Sequence, residues 1–198
     1  LLGQSGLLTE GDNKHEDGLW EEYCFMQKKF SLKPIQGSLW KKARMRPQSA
    51  PEVRIRQFAH LIYQSEFLFS QLMEAQTTEK MVELLSIQYD DESAYSRVQR
   101  PLPIGKRSID ILLINTVIPY RYAYAQSESI KDAIQWLNNI PKEDNTIIRQ
   151  WTMLGQEIRS AADTQALIHL YQNYCQPHLC FNCQVGYQVF RSKQLELF

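Results

Sequence analysis

"SIDILLINTVIPYRY", residues 108–122, decides the reading of this chain. Ser108 is a residue type that accepts from the free N–H groups of a first helical turn. After it Ile109, Leu112, Leu113 and Thr116 recur at offsets of three, one and three, which is helix period. A strand would alternate apolar and polar residues, and this segment does not. Pro119 has no N–H and crowds the carbonyl four residues back, so it is expected to kink the C-terminal part of the helix. Asn115, inside the run, is expected to be buried with hydrogen-bond partners. Ile111 to Tyr120 is the longest apolar run in the chain, so this helix is expected to be the central element. It is also far shorter than the roughly 20 residues of a membrane-spanning helix, so no membrane segment is expected.

Helical patterns continue on both sides. Asp17 is placed to cap a helix whose stripe is Leu19, Tyr23, Met26 and Phe30, ended by Lys33-Pro34. Pro51 sits where helices start, and Ile55, Phe58, Ala59 and Ile62 have the spacing of a buried face. Thr77 or Thr78 opens a short helix, whereas residues 88–107 read as a long irregular connection. Further helices are expected over 130–137 and from about Asn145 to Gly155. Ser160 and Asp163 have capping-box spacing before Leu167, Leu170, Tyr171 and Tyr174. No stretch alternates for strand length and no internal repeat is visible. The expectation is an all-α fold, one globular array of about seven or eight helices over 1–198, with an N-terminal loop over 1–16 and a cysteine-bearing turn and helix over 174–190.

A chain of 198 residues, 43% apolar, with ten Tyr, eight Phe and four Trp, can fill a real core. Its formal charge is zero, so any preference for nucleic acid must come from local patches. Four cysteines and the absence of a leader pattern in the opening residues favour a reducing, cytoplasmic setting. The opening Leu-Leu-Gly reads as a helix end and carries no initiating Met, so a piece of a longer protein is expected.

Three of the four thiols, Cys175, Cys180 and Cys183, lie within nine residues in the spacing C-x4-C-x2-C. In a helical segment Cys180 and Cys183 would stand one turn apart on one face. Pro177 ends the preceding helix, and a tight turn would bring Cys175 near them. Structural zinc takes four ligands and [4Fe-4S] clusters usually four Cys, so the set is one short. His178, in the turn, would complete a Cys3His set, whereas His169 lies roughly 120° away around its helix. Cys24 reads as a small core residue. Three readings stay open: a zinc or iron-sulfur site, reduced thiols packed in a turn, or a disulfide.

Charge is segregated along the chain. Lys41, Lys42, Arg44, Arg46, Arg54 and Arg56 face one acid, Glu52, whereas residues 10–22 carry Glu10, Asp12, Glu16, Asp17, Glu21 and Glu22 against Lys14. The two segments would pair within the fold, or Arg44, Arg46 and Arg54 would converge near the start of the Pro51 helix and suit a phosphate. Arg97, Arg100, Lys106 and Arg107, with Tyr95 among them, would extend that surface. His60 reads as a core-edge histidine rather than a catalytic base. There is no Ser-His-Asp order, no phosphate-binding glycine loop and no HExxH.

In order, LLGQSGLL (1–8), WKKARMRPQSAPEVRIRQFAHL (40–61), GKRSIDILLINTVIP (105–119), IIRQWTMLG (147–155), AADTQAL (161–167) and YCQPHLCFNCQVG (174–186) resemble the C-terminal half of a bacterial family catalogued as domain of unknown function 2851. Longer members resemble, in their N-terminal half, metal-dependent nucleases of the PD-(D/E)XK type. The resemblance implies an upstream nuclease-like domain of the same protein as partner. It also implies DNA or RNA as the ligand of a basic surface formed by Arg44, Arg46, Arg54, Lys106 and Arg107. Some helicase-nuclease relatives of that superfamily hold an iron-sulfur cluster on one upstream and three downstream Cys. Cys175, Cys180 and Cys183 suit such a set although their spacing departs from the usual one, and His178 falls outside it. The leading expectation is a non-catalytic helical domain contacting nucleic-acid phosphates. The alternative is a metal-stabilised helical protein-interaction module, and an enzyme built on His60 ranks last.

Overall fold

A computed structural model describes residues 1–8, 14–87, 103–124 and 130–195 of the chain. The chain is all-α: among the described residues no strand forms, and only an isolated bridge joins Pro141 and Ser160. Among the same residues no helix is long and apolar enough to cross a membrane. The helices are α1 (Lys14–Phe30), α2 (Pro51–Gln64), α3 (Leu68–Glu74), α4 (Thr78–Leu84), α5 (Lys106–Leu112), α6 (Ile118–Tyr124), α7 (Ile130–Asn138), α8 (Thr146–Met153), α9 (Ala161–Leu170) and α10 (Gln184–Leu195). Contacts divide the chain into two compact units, one of Leu1–Glu74 with Met81–Ile109, the other of Ala75–Lys80 with Asp110–Phe198.

In the first unit the N-terminal residues are built into the fold. Ile35 donates its N–H to the Gln4 carbonyl at 2.9 Å, and the Trp40 indole donates to the Ser5 carbonyl at 2.8 Å. Gly6, at φ +70°, makes this approach possible, because a Cβ there would lie 2.0 Å from the Ile35 oxygen. The helix α1 starts at Lys14, so the expected loop over 1–16 ends earlier and Asp17 is not the cap. The expected stripe on α1 also turns away: Leu19, Met26 and Phe30 are exposed. Trp20, Tyr23, Cys24 and Gln27, at offsets of three, one and three, are the half-buried set instead. The anchor is aromatic, since Trp20 pairs with Tyr23 at 6.1 Å and the Tyr23 hydroxyl reaches Gln4 Oε1 at 3.4 Å.

Helix α2 departs in the same way. Phe58 and Ile62, expected to be buried, are exposed, and Gln57 and Leu61 are buried. The polar edge faces inward because its groups are bonded there: Arg54 Nη1 donates to Gln57 Oε1 at 3.1 Å, and Gln57 Nε2 donates to the Pro103 carbonyl at 3.3 Å. Thr77 caps α4, accepting the Lys80 N–H at 3.2 Å.

The opening segment of the sequence forms a helix with a π turn in its middle. Helix α5 passes into π geometry over Leu113–Val117, with the Ile118 N–H bonded to Leu113 O, and continues as α6. Pro119 explains this, because it cannot donate to the carbonyl four residues back and its ring would collide with it. The wider turn takes up the misfit where a kink was expected. It also moves the buried edge to Ile109, Leu113, Ile114, Val117, Ile118 and Arg121, leaving Leu112 and Thr116 exposed. Asn115 is exposed as well, its amide donating back to Ile111 O at 3.1 Å, so the expectation of a buried Asn fails. Ser108 lies inside the helix rather than at its cap, since α5 begins at Lys106.

The rest of the second unit packs α6 on α7, α7 on α9 and α8 on α9. Arg121 is buried with its guanidinium 4.1 Å from the Trp136 ring centroid on α7, and it donates to the Ala75 carbonyl. Asn145 caps α8 by accepting the Ile148 N–H at 3.0 Å. At α9 the capping box of Ser160 and Asp163 is complete. The Arg159 and Ser160 backbone N–H groups hold the Asp163 carboxyl below its ordinary pKa, Arg159 contributing most. Leu167, Leu170, Tyr171 and Tyr174 are all half-buried, as their spacing predicts.

Candidate functional site

Arg44, Arg46, Arg54, Lys106 and Arg107 are all in the first unit. Arg44 and Arg46 are exposed on the loop before α2, Arg44 with a left-handed backbone at φ 60°. Arg46 caps a short 3-10 turn, Pro47–Ser49, that packs on α2. Lys106 and Arg107 are exposed in the first turn of α5. Arg54 joins the two segments across 54 positions of sequence, its Nη2 donating to Ser108 Oγ at 3.0 Å while Nη1 holds Gln57. Arg54 is therefore a tether that sets the start of α5 against α2, and the exposed cations lie on the elements it ties. Gln57 and Ser108 are the partners that sequence reading missed.

Glu52, the one acid of residues 41–56, is already neutralised. Lys42 Nζ sits 2.6 Å from its carboxylate. That hydrogen bond, with a backbone one and the nearby Arg56 charge, holds the Glu52 carboxyl below its ordinary pKa. The Lys42–Glu52 pair lies within the basic segment itself. The side chains of the acids at 10–17, and the residues Tyr95, Arg97 and Arg100, fall outside what the structure describes. His60 is half-buried on α2.

The cysteine turn is in the second unit and is built by the backbone. Past α9 a π turn spans Tyr171–Cys175, where Gln176 N–H bonds to Tyr171 O at 2.8 Å. His178 then adopts φ 58°, Leu179 N–H reaches Tyr174 O at 2.8 Å and His178 N–H reaches Cys175 O at 3.1 Å. This pair of bonds is a Schellman ending with His178 in the place glycine usually takes, and it reverses the chain. Cys180–Asn182 form one 3-10 turn, closed by the Cys183 N–H on Cys180 O at 3.3 Å, and α10 follows. Gly186 is required there: a Cβ would meet the Cys180 carbonyl oxygen at 2.3 Å.

The turn brings the thiols together. Cys180 is exposed, Cys175 half-buried and Cys183 buried. Burial raises the Cys175 pKa, and the neighbouring Cys183 and Cys180 raise it further. Among the described residues, however, no group of three or more His, Cys, Asp or Glu side chains is placed to hold a metal ion. His178 is exposed at the crest of the turn, and the His169 ring is engaged with Asn173 at 3.1 Å.

The chain was compared with known proteins. No curated protein matches it, and no solved structure does. The family model described as "Protein of unknown function (DUF2851)" matches residues 1–146, a span that holds Arg44, Arg46, Arg54, Lys106 and Arg107 and stops short of the cysteine turn. With the greater part of its length covered by that match, the chain belongs to the DUF2851 family.

Proposed function

We propose that the first unit contacts nucleic-acid phosphates, as a non-catalytic helical domain of a nuclease-like bacterial protein. The observation that carries this reading is the Arg54–Ser108 bond, which ties the Lys106–Arg107 turn to the helix preceded by Arg44 and Arg46. Guanidinium forks on neighbouring elements suit phosphate oxygens, and such contacts position a backbone without reading its sequence. The Lys42–Glu52 pair supports it, because Lys42 offsets the one acid of residues 41–56 that would repel a polyanion.

The test is fluorescence anisotropy with labelled single- and double-stranded DNA and RNA at low salt. Arg44→Ala/Arg46→Ala and Lys106→Ala/Arg107→Ala, all at exposed positions, should each weaken binding without disturbing helix content. Absence of binding at low salt, or equal affinity in both double variants, would overturn the proposal.

A further inference from the structure

We infer that Cys180 and Cys183 form a redox-reactive dithiol that closes to an intramolecular disulfide by exchange with a small-molecule disulfide. The two residues are the ends of one 3-10 turn. With three residues per turn and about 2.0 Å rise each, the Cα atoms of Cys180 and of Cys183, the extended residue that closes the turn, stand about 6 Å apart. That separation lies inside the range a disulfide accepts without backbone movement, about 4.4–6.8 Å. The two ends also differ in access, Cys180 being exposed and Cys183 buried. This asymmetry suits a two-step exchange, in which one accessible thiol meets the reagent and a second beside it resolves the mixed disulfide.

Cys183 stands where the 3-10 turn meets α10, its carbonyl accepting the Tyr187 N–H at 2.8 Å. Two contacts clamp that junction. Phe181, between the two cysteines, stacks on Phe190 of α10 with centroids 5.2 Å apart and planes 12° from parallel. Gly186 lets α10 press against the Cys180 backbone. The turn is therefore held against α10 in the reduced chain. Cys175 neighbours both thiols across the Schellman reversal, but it is joined to neither by a single turn as Cys180 and Cys183 are joined to each other.

The reaction balances as two exchanges. The Cys180 thiolate attacks one sulfur of the small disulfide, the S–S bond breaks, and one reagent thiolate leaves and takes up the proton lost from Cys180. Cys183, giving its proton to solvent or to the leaving group, then attacks Cys180 Sγ. The mixed disulfide breaks and the second reagent thiol departs. Two protein thiols are oxidised by two electrons, and one reagent disulfide is reduced to two thiols.

Fully reduced chain is incubated with glutathione disulfide, quenched with an alkylating maleimide and weighed intact, with peptide mapping of cross-links. Two of the four thiols should become unavailable, joined as Cys180–Cys183. Cys183→Ser should stop at a stable mixed disulfide on Cys180, Cys180→Ser should react at least roughly tenfold more slowly, and Cys175→Ser should behave as the parent. Helix content recorded for each variant separates misfolding from loss of reactivity. A cross-link to Cys175, a Cys183→Ser chain that takes up no glutathione, or a bound metal whose chelation is needed before any oxidation would each overturn the inference.

Discussion

Replacing Gly186 by alanine sets two known effects against each other. In an ordinary helix interior the change is stabilising by about 1 kcal/mol, since glycine loses more backbone freedom on folding. Here the added Cβ would lie 2.3 Å from the Cys180 carbonyl oxygen, 3.1 Å from its carbonyl carbon and 3.3 Å from its Cα. A carbon–oxygen contact is comfortable from about 3.3 Å, so α10 or the 3-10 turn must retreat by about 1 Å. All three obstructing atoms are main chain, which cannot turn aside as a side chain does. Overpacking of this kind costs about 1–3 kcal/mol, which after the gain of about 1 kcal/mol leaves a net loss of up to about 2 kcal/mol. The readout is native-state alkylation of Cys183, buried behind this contact. Opening of the turn should become up to about 30-fold more frequent, with alkylation faster in proportion. A Gly186→Ala chain that is more stable, with Cys183 equally protected, would refute the close approach of α10 to Cys180.

Other perturbations test the second unit. Ser160→Ala removes the hydroxyl that accepts the Asp163 N–H at 3.4 Å and should cost about 1 kcal/mol in denaturant unfolding. Because the folded Asp163 pKa is depressed, the stability it contributes is fully present above its ordinary value of 3.8 and is lost as pH falls through the folded value. Asp163→Asn should therefore lower stability near neutral pH and flatten its fall in acid, as followed by circular dichroism. Leu113→Ala empties a site with 0% exposure and should cost about 2–5 kcal/mol by urea titration. Arg121→Ala removes the guanidinium over Trp136 and its bond to Ala75 O, and should cost about 2–5 kcal/mol with a change in tryptophan emission.

The all-α class was legible because helix period and caps are local properties. Ser160 with Asp163, Asn145 and Thr77 all cap where side-chain chemistry alone places them. Which face a helix buries was less legible. On α2 an apolar stripe of Phe58 and Ile62 lost to Arg54 and Gln57, because these find partners in Ser108 and Pro103, about 46 to 54 residues away, beyond the reach of any periodicity rule. Pro119 announced an irregularity, but a straight kink and a π turn answer the same missing N–H, and the choice moved Asn115 to the surface. In the cysteine segment Pro177 foretold the reversal. His178 in a left-handed conformation was not foreseen, although His is among the non-glycine residues that adopt it more often than most. Gly186 carried a readable sign, a glycine inside a helical stretch three residues after Cys183, whose meaning depends on how closely α10 packs.

The central claim, that the basic surface of the first unit contacts phosphates, is tested most directly by the salt dependence of DNA binding. Each phosphate neutralised on duplex DNA contributes about 0.9 to the slope of log affinity against log salt. The account predicts that the parent chain shows a steep negative slope and that Arg44→Ala/Arg46→Ala flattens it by up to about 1.8, two contacts' worth, on every sequence tried. A slope near zero in the parent, or one unchanged when both arginines are removed, would contradict it.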